Sequence, residues 1–367
     1  MKRNTIIVGT HSVMHAVVDF GCAMLVMGIA LDAGLSLTMA TLVIWVYDFC
    51  AFALQYPVGI LADPWNRNSL MAAIGCFLVA AGFAFRPHAV IACAIAGIGN
   101  ALYHVGGGVD VLNISDRKAS FPGIYVATGS VGLYLGMNGD HMPFGSSVTV
   151  ALLIVSGVLL IGLYLLIRYR YRIDNEPCKR IVEPVRMTEP QLWIIYCMML
   201  TVCLRSCFGM LMKFPWRTGF THGLIAVIAV TLGKMLGGII GDRLGWMRTS
   251  VTSLFTASVL FAFADRSMAC GVAAMLLFNM SMPITLSVTV NMFPKRKGAA
   301  FGLISAMLFC GLVPAFSDLA DTLSQTPILV SAVVVSAVLL LVGLKLYHDQ
   351  KGDSSCHGSG NAEHISS

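Results

Sequence analysis

Long apolar stretches alternate with short polar breaks along the whole chain. A helix crossing a bilayer needs about 20 mostly apolar residues, and twelve segments meet or approach that length. Six of them fall at about 6–30, 37–61, 69–85, 88–108, 121–139 and 147–167. Six more fall at about 191–212, 222–241, 250–264, 268–291, 299–316 and 327–346. The polar stretch between the two sets reads as a linker. The last residues are rich in Ser, Gly and His, show no apolar period, and read as a disordered tail. The pattern predicts an all-α integral membrane protein with twelve transmembrane helices. They form two pseudo-symmetric six-helix bundles, residues 1–168 and 191–347, joined by a linker loop at 169–190 and followed by a tail at 348–367.

Composition agrees: 57% of the residues are hydrophobic and only 11% charged, against about a quarter charged in soluble domains. Water-soluble folds are excluded. The basic residues give the orientation. Of the 24 Lys and Arg, Arg205 and Lys234 lie inside spans, four (Arg86, Lys213, Arg217 and Arg266) fall on one side, and eighteen on the other. The positive-inside rule then predicts a multi-pass protein of the cell (inner) membrane with both termini cytoplasmic. This bias explains the net charge of +6, so the lipid bilayer is an expected partner and nucleic acid is not. The 11 cysteines are scattered through the spans without CxxC pairs, which predicts neither a disulfide framework nor a metal site.

The sequence repeats itself. Gly59-Ile-Leu-Ala-Asp63 follows the second segment, and Gly238-Ile-Ile-Gly-Asp242 follows the eighth. Arg117-Lys118 opens the fifth segment, and Arg296-Lys297 opens the eleventh. Asp63 to Asp242 and Arg117 to Arg296 are both displacements of 179 residues. Parallel six-helix halves of this kind form a transporter architecture whose binding site lies between the halves. A carboxylate is poorly placed at the C-terminal end of its own helix and well placed at the N-terminus of another. Asp63 and Asp242 would gain from facing the eleventh and fifth helices, which start on their side after the basic pairs. Two solvated loops are the plainer alternative.

Inside the spans the chemistry is concentrated on few residues. His11, His15 and Asp19 recur every fourth residue and form one stripe of the first helix. Asp48, His104, Arg205 and Lys234 are the other intramembrane ionisable groups considered. Such residues cost about 2.5–3.5 kcal/mol or more at bilayer depth, so they imply a partner or a watery pathway. An imidazole beside a carboxylate can exchange protons near neutral pH, which makes His15, Asp19 and Asp48 candidates for proton coupling. The guanidinium of Arg205 suits an anionic group on a substrate, with His104, Asn100, Tyr103 and Asn279 as candidate companions. For Asp48 and Lys234 a structural hydrogen bond is an equal alternative, and for Tyr103, Asn100 and Asn279 a core role. No Gly-x-x-x-x-Gly-Lys-Ser/Thr loop is present, so ATP is not the direct energy source. No cofactor is expected. The polar stripe lacks a nucleophile or metal set, which argues against an enzyme.

Over its twelve segments the chain resembles the major facilitator superfamily of transporters. Pro57, Gly59, Asp63 and Arg67 echo that family's loop signature, although Pro64-Trp65-Asn66 stands where Arg and Gly are usual. The second copy, Gly237-Gly238-Ile-Ile-Gly241-Asp242-Arg243-Leu-Gly245, is closer to the pattern. Three stretches resemble the fosmidomycin-resistance efflux branch: His15-Ala-Val-Val-Asp19, Gly97-Ile-Gly99-Asn-Ala-Leu-Tyr-His104 and Leu204-Arg205-Ser206. Val105 replaces the branch's usual Pro. The resemblance implies a cavity lined by the first, fourth, seventh and tenth helices. It also implies a gate latched by Gly59, Asp63, Gly238 and Asp242 with the basic pairs Arg117-Lys118 and Arg296-Lys297. The expected function is secondary transport of a small polar or anionic molecule by alternating access, as proton-coupled efflux by a monomer. Proton-coupled uptake, or a non-transporting receptor or assembly protein that keeps the fold, are the alternatives.

Overall fold

The computed structural model describes residues 2–32, 34–171 and 187–359. Twelve helical rods follow one another, and no strand occurs among the described residues. They are α1 (Lys2–Ala30), α2 (Leu37–Trp65), α3 (Asn68–Ala84), α4 (Ala89–Asn113), α5 (Ser120–Met137) and α6 (Ser146–Leu165). Then come α7 (Glu189–Leu211), α8 (Gly219–Leu244), α9 (Trp246–Phe261), α10 (Met268–Met292), α11 (Lys297–Leu312) and α12 (Thr326–Ser359). Nine of these rods are long and apolar enough to cross a membrane, with α11 counted through its last turn to Phe316; α3, α5 and α9 are not among them. Two rods are irregular. A π-helical stretch, Phe49–Ala53, interrupts α2, and a turn at Met280 and Ser281 divides α10.

The helices stop and start where local chemistry directs. Ser36 accepts a hydrogen bond from the N–H of Met39 and caps α2. The Gln191 side chain accepts from the N–H of Thr188 at the start of α7. The final helix departs from expectation: it was expected to end near residue 346, and the main chain stays helical to Ser359. Most of the linker, 172–186, and the last eight residues, 360–367, lie outside the described residues.

Contacts within each half follow one plan. In the first, α1 packs on α5, and α3 on α4 and α6; in the second, α7 packs on α11 and α12, and α9 on α10 and α12. The halves meet through α2 against α11 and α5 against α8, with α4 touching α11 and α10 touching α5. Adding six to each helix number converts α5–α8 and α4–α11 into α11–α2 and α10–α5. The interface thus has pseudo-two-fold symmetry.

That symmetry extends to single atoms at the end of the bundle that carries the basic loops. Asp63 accepts from the main-chain N–H groups of Gly298 (2.7 Å) and Ala299 (3.0 Å), at the start of α11. Asp242 accepts from those of Ala119 (2.9 Å) and Ser120 (2.8 Å), at the start of α5. The donors are again 179 residues apart. Each carboxylate sits on the positive end of a helix from the opposite half. The odd residue of the first loop also finds a reason. Asn66 adopts a left-handed conformation (φ 48°) and closes α2 by donating its N–H to Ala62 O. Gly245, at the equivalent place, has φ 98° and donates to Gly241 O. Asn is among the few non-Gly residues that tolerate positive φ, so it substitutes for the usual Gly.

Candidate functional site

Between the halves lies a cavity of about 200 Å³. Its first-half wall comes from α1 (His15, Asp19), α2 (Phe52, Gln55), α4 (His104) and α5 (Val126, Gly129, Ser130, Leu133). Its second-half wall comes from α7 (Arg205), α8 (Lys234), α10 (Met282, Leu286) and α11 (Phe301, Ile304, Ser305, Leu308).

His15 and Asp19 are one turn apart on α1, as the stripe requires, with Oδ2 of Asp19 3.3 Å from Nε2 of His15. His104 closes the group from α4. Its Nε2 lies 2.8 Å from His15 Nε2 and 3.5 Å from Asp19 Oδ1. Both imidazoles are held from behind by main-chain carbonyls: His15 Nδ1 is 2.7 Å from Tyr125 O, and His104 Nδ1 is 2.9 Å from Asn100 O. Asn100 also donates through Nδ2 to Asp19 Oδ1 at 3.1 Å. Tyr103 is fully buried beside His15 and donates to His11 O. Tyr125 stacks on the His15 ring at a centroid distance of 4.7 Å. Helix α5 can approach this closely because residue 129 is Gly; a Cβ there would collide with Asp19 Oδ2 and His15 Nε2.

The opposite wall carries two cations. Arg205 is only 7% exposed, and its Nη1 has no hydrogen-bond partner among the described residues. Lys234 donates to Ser130 Oγ at 2.5 Å across the interface. Among the described residues, no carboxylate lies within ion-pair distance of either. The cavity is therefore polarised, with two imidazoles and a carboxylate on the first half and a guanidinium and an amine on the second.

Not every residue singled out by sequence lies here. Asp48 is half-buried on α2, does not line the cavity, and has no hydrogen bond or ion pair among the described residues. Asn279 turns its amide back to Met275 O and does not line the cavity either. His11 joins a separate buried set, 3.2 Å from Asp110 Oδ2, while Ser69 donates to the same oxygen. Asn100 and Tyr103 stand behind the histidines rather than on the open surface. Lys297 donates to Leu112 O, Asn291 donates to Arg117 O, and Arg117 and Lys118 are exposed. Gln55, Ser130 and Ser305 line the cavity without having been anticipated. Their only sequence signal was polarity within an apolar stretch, a signal shared with many packed Ser and Thr. Donor atoms of His15, Asp19 and His104 lie within 4.8 Å of one another, so by spacing alone the trio could accommodate a cation. The expectation of no such set came from sequence spacing, which hides a partner 89 residues away. The 2.8 Å distance between the two nitrogens is that of a hydrogen bond and fits a proton.

No family model and no curated protein match this chain by sequence. Solved structures do match by fold. A bacterial homologue of the iron transporter ferroportin, in an outward-facing state, aligns with a TM-score of 0.66 at 15% identity, over 94% of this chain and 99% of that one. The major facilitator superfamily transporter FucP, in the outward conformation, gives 0.57 at 13% identity, over 92% and 99%. The human organic anion transporter MFSD10 (TETRAN) gives 0.70 at 12% identity, over 94% and 99%. The all-α, two-bundle fold is thus one that major facilitator superfamily transporters adopt.

Proposed function

We propose that this protein is a secondary transporter that moves a small anionic molecule by alternating access and couples that movement to protons. The unpartnered Nη1 of the buried Arg205 carries the reading. A buried guanidinium with an unmet donor is costly unless something pairs with it, and Lys234 lines the same cavity. Fixed positive charge on one wall favours an anion over a bare metal cation. Carboxylate, phosphate and phosphonate groups suit a guanidinium, which offers two parallel donors. The fold shared with a transporter of organic anions supports the same reading.

His15, Asp19 and His104 supply the proton-exchanging set. Asp63 and Asp242, on the starts of α11 and α5, act as the gate latches and hold the basic end closed. By the positive-inside rule this end faces the cytoplasm, with both termini on that side. The site is complete within one chain, which supports a monomer. Export as the direction rests only on the resemblance to the fosmidomycin-resistance branch.

Proteoliposomes loaded with a panel of small carboxylates, phosphates and phosphonates test the proposal under an imposed pH gradient. At least one anion is expected to move, and Arg205→Ala is expected to lower its uptake or release at least tenfold, the scale of a lost hydrogen bond to a charged group. Arg205→Lys keeps the charge but loses the paired donors and should fall between. A folded Arg205→Ala protein with full anion flux would end the reading. Absence of any flux from a folded, reconstituted protein would favour the receptor alternative.

A further inference from the structure

The division of charge between the two walls bears on how proton and anion are coupled. Resting on the reading of the cavity as an anion site, we propose that proton and anion occupy it together. The protein then carries both in the same direction, and its anion affinity rises as pH falls.

The argument begins with the histidines. A main-chain carbonyl can only accept, so Nδ1 of both His15 and His104 must carry hydrogen. Each neutral ring then presents a bare lone pair at Nε2, and these two atoms are 2.8 Å apart. Two lone pairs at that separation repel; one proton between them makes a short hydrogen bond. The observed geometry is that of a pair sharing one proton and carrying one positive charge.

The surroundings decide what that charge does. Asp19 faces the pair from α1. Tyr103 of α4, Tyr125 of α5, Tyr47 of α2, and Cys22 and Cys76 of α1 and α3 lie around the group. Their ordinary ionisation lies at about 8.5–10, so they are neutral at physiological pH. His11 and Asp110 pair with each other and add no net charge when His11 is protonated. From the second half come the charges of Arg205 and Lys234, of which the Lys234 amine can itself release a proton and adds to the same pH trend; α10 and α11 line the cavity with apolar side chains and Ser305.

With the shared proton in place, the histidine pair and Asp19 cancel. Arg205 and Lys234 then face the cavity uncompensated and can bind an anion. When the proton leaves, Asp19 keeps an unbalanced negative charge on the opposite wall. It repels the anion and competes with it for the two cations. Proton binding therefore favours anion binding, and by linkage the bound anion must hold the proton equally well. An exchanger needs the reverse relation, in which one ligand expels the other. An inward proton gradient would draw the anion inward, which is the uptake alternative rather than export.

Sulfate is a suitable probe because it stays a dianion across the pH range of interest. The purified full-length protein in lipid nanodiscs is titrated with sulfate at pH 6 and pH 8. The expected result is affinity at least about tenfold higher at pH 6, within the usual range for coupled sites. In weak buffer, sulfate addition should also draw protons from solution onto the protein. His104→Gln should reduce the pH dependence and leave affinity low, because Asp19 stays charged. Asp19→Asn should raise affinity at pH 8, because no carboxylate then competes with the anion for the two cations. Sulfate affinity that is unchanged or weaker at pH 6, or proton release on binding, would overturn co-binding while leaving the anion site standing. No sulfate binding at either pH would overturn the anion reading itself, and this inference with it.

Discussion

His15 and His104 meet nitrogen to nitrogen at 2.8 Å, each ring pinned by a carbonyl on its far side, with Gly129 of α5 lying against the contact. A methyl at residue 129 has nowhere to go except into His15 and Asp19. We expect Gly129→Ala to leave a folded bundle in which the two rings are forced apart. Flux driven by a pH gradient should fall by about tenfold or more, the size of a typical lost coupling. Gly162→Ala is the matched control, since a Cβ there meets nothing within 4 Å. Equal flux from the two variants would separate the histidine contact from coupling.

The two helix-start contacts of Asp63 and Asp242 make a symmetric prediction. Asp63→Asn and Asp242→Asn each remove a charge from the start of a helix while keeping one acceptor oxygen. Each should weaken closure of the basic end by about 1–2 kcal/mol, the range for a charge at a helix terminus. The two effects should add, because the sites share no partner. Spin labels at Lys118 and Lys295 can report the population of the open end. A large effect from one aspartate and none from the other would break the equivalence of the halves.

Backbone conformation supplies a third test. Gly245 has φ 98°, where side chains are strained, so Gly245→Ala should destabilise the protein by about 1–3 kcal/mol. Asn66 already tolerates φ 48°, so Asn66→Gly should be close to neutral. Thermal unfolding in detergent reads both. Equal losses at the two positions would refute the equivalence of these caps.

Asp48 and Asp19 can be set against each other. Asp48 lies outside the cavity, whereas Asp19 touches both histidines. Asp48→Asn is expected to keep the pH profile of transport, and Asp19→Asn to flatten it. The opposite pattern would move coupling to α2.

Much of this was legible in the chain because bilayers impose strong patterns. Apolar lengths gave the spans, and the 179-residue displacement of Asp63 and Asp242 anticipated paired contacts on helices that begin after the basic pairs. His15 and Asp19 could be seen together because a helix puts fourth neighbours on one face. His104 falls at a depth near that of His15 and on a helix that the family resemblance puts around the same cavity, but nothing in a sequence of separate helices states which faces meet, so its contact with His15 could not be read. The same ignorance left Lys234 undecided and included Asn279, whose amide is satisfied one turn back on its own helix. The tail misled for another reason: polar composition speaks against a buried face, but main-chain hydrogen bonds can carry a helix on past the residues that pack.

The aspartate contacts repeat from half to half, but the lining of the chamber between the halves does not. The first half lines it with His15, His104 and Asp19, and the second with Arg205 and Lys234. A homodimer built from two first halves would pair Asp63 with the start of α5 rather than α11, and its central chamber would contain neither guanidinium nor lysine amine. Two second halves would hold the cations with nothing to counter them. Neither half can stand in for its twin, so fusing them into one chain fixes the ratio at one of each.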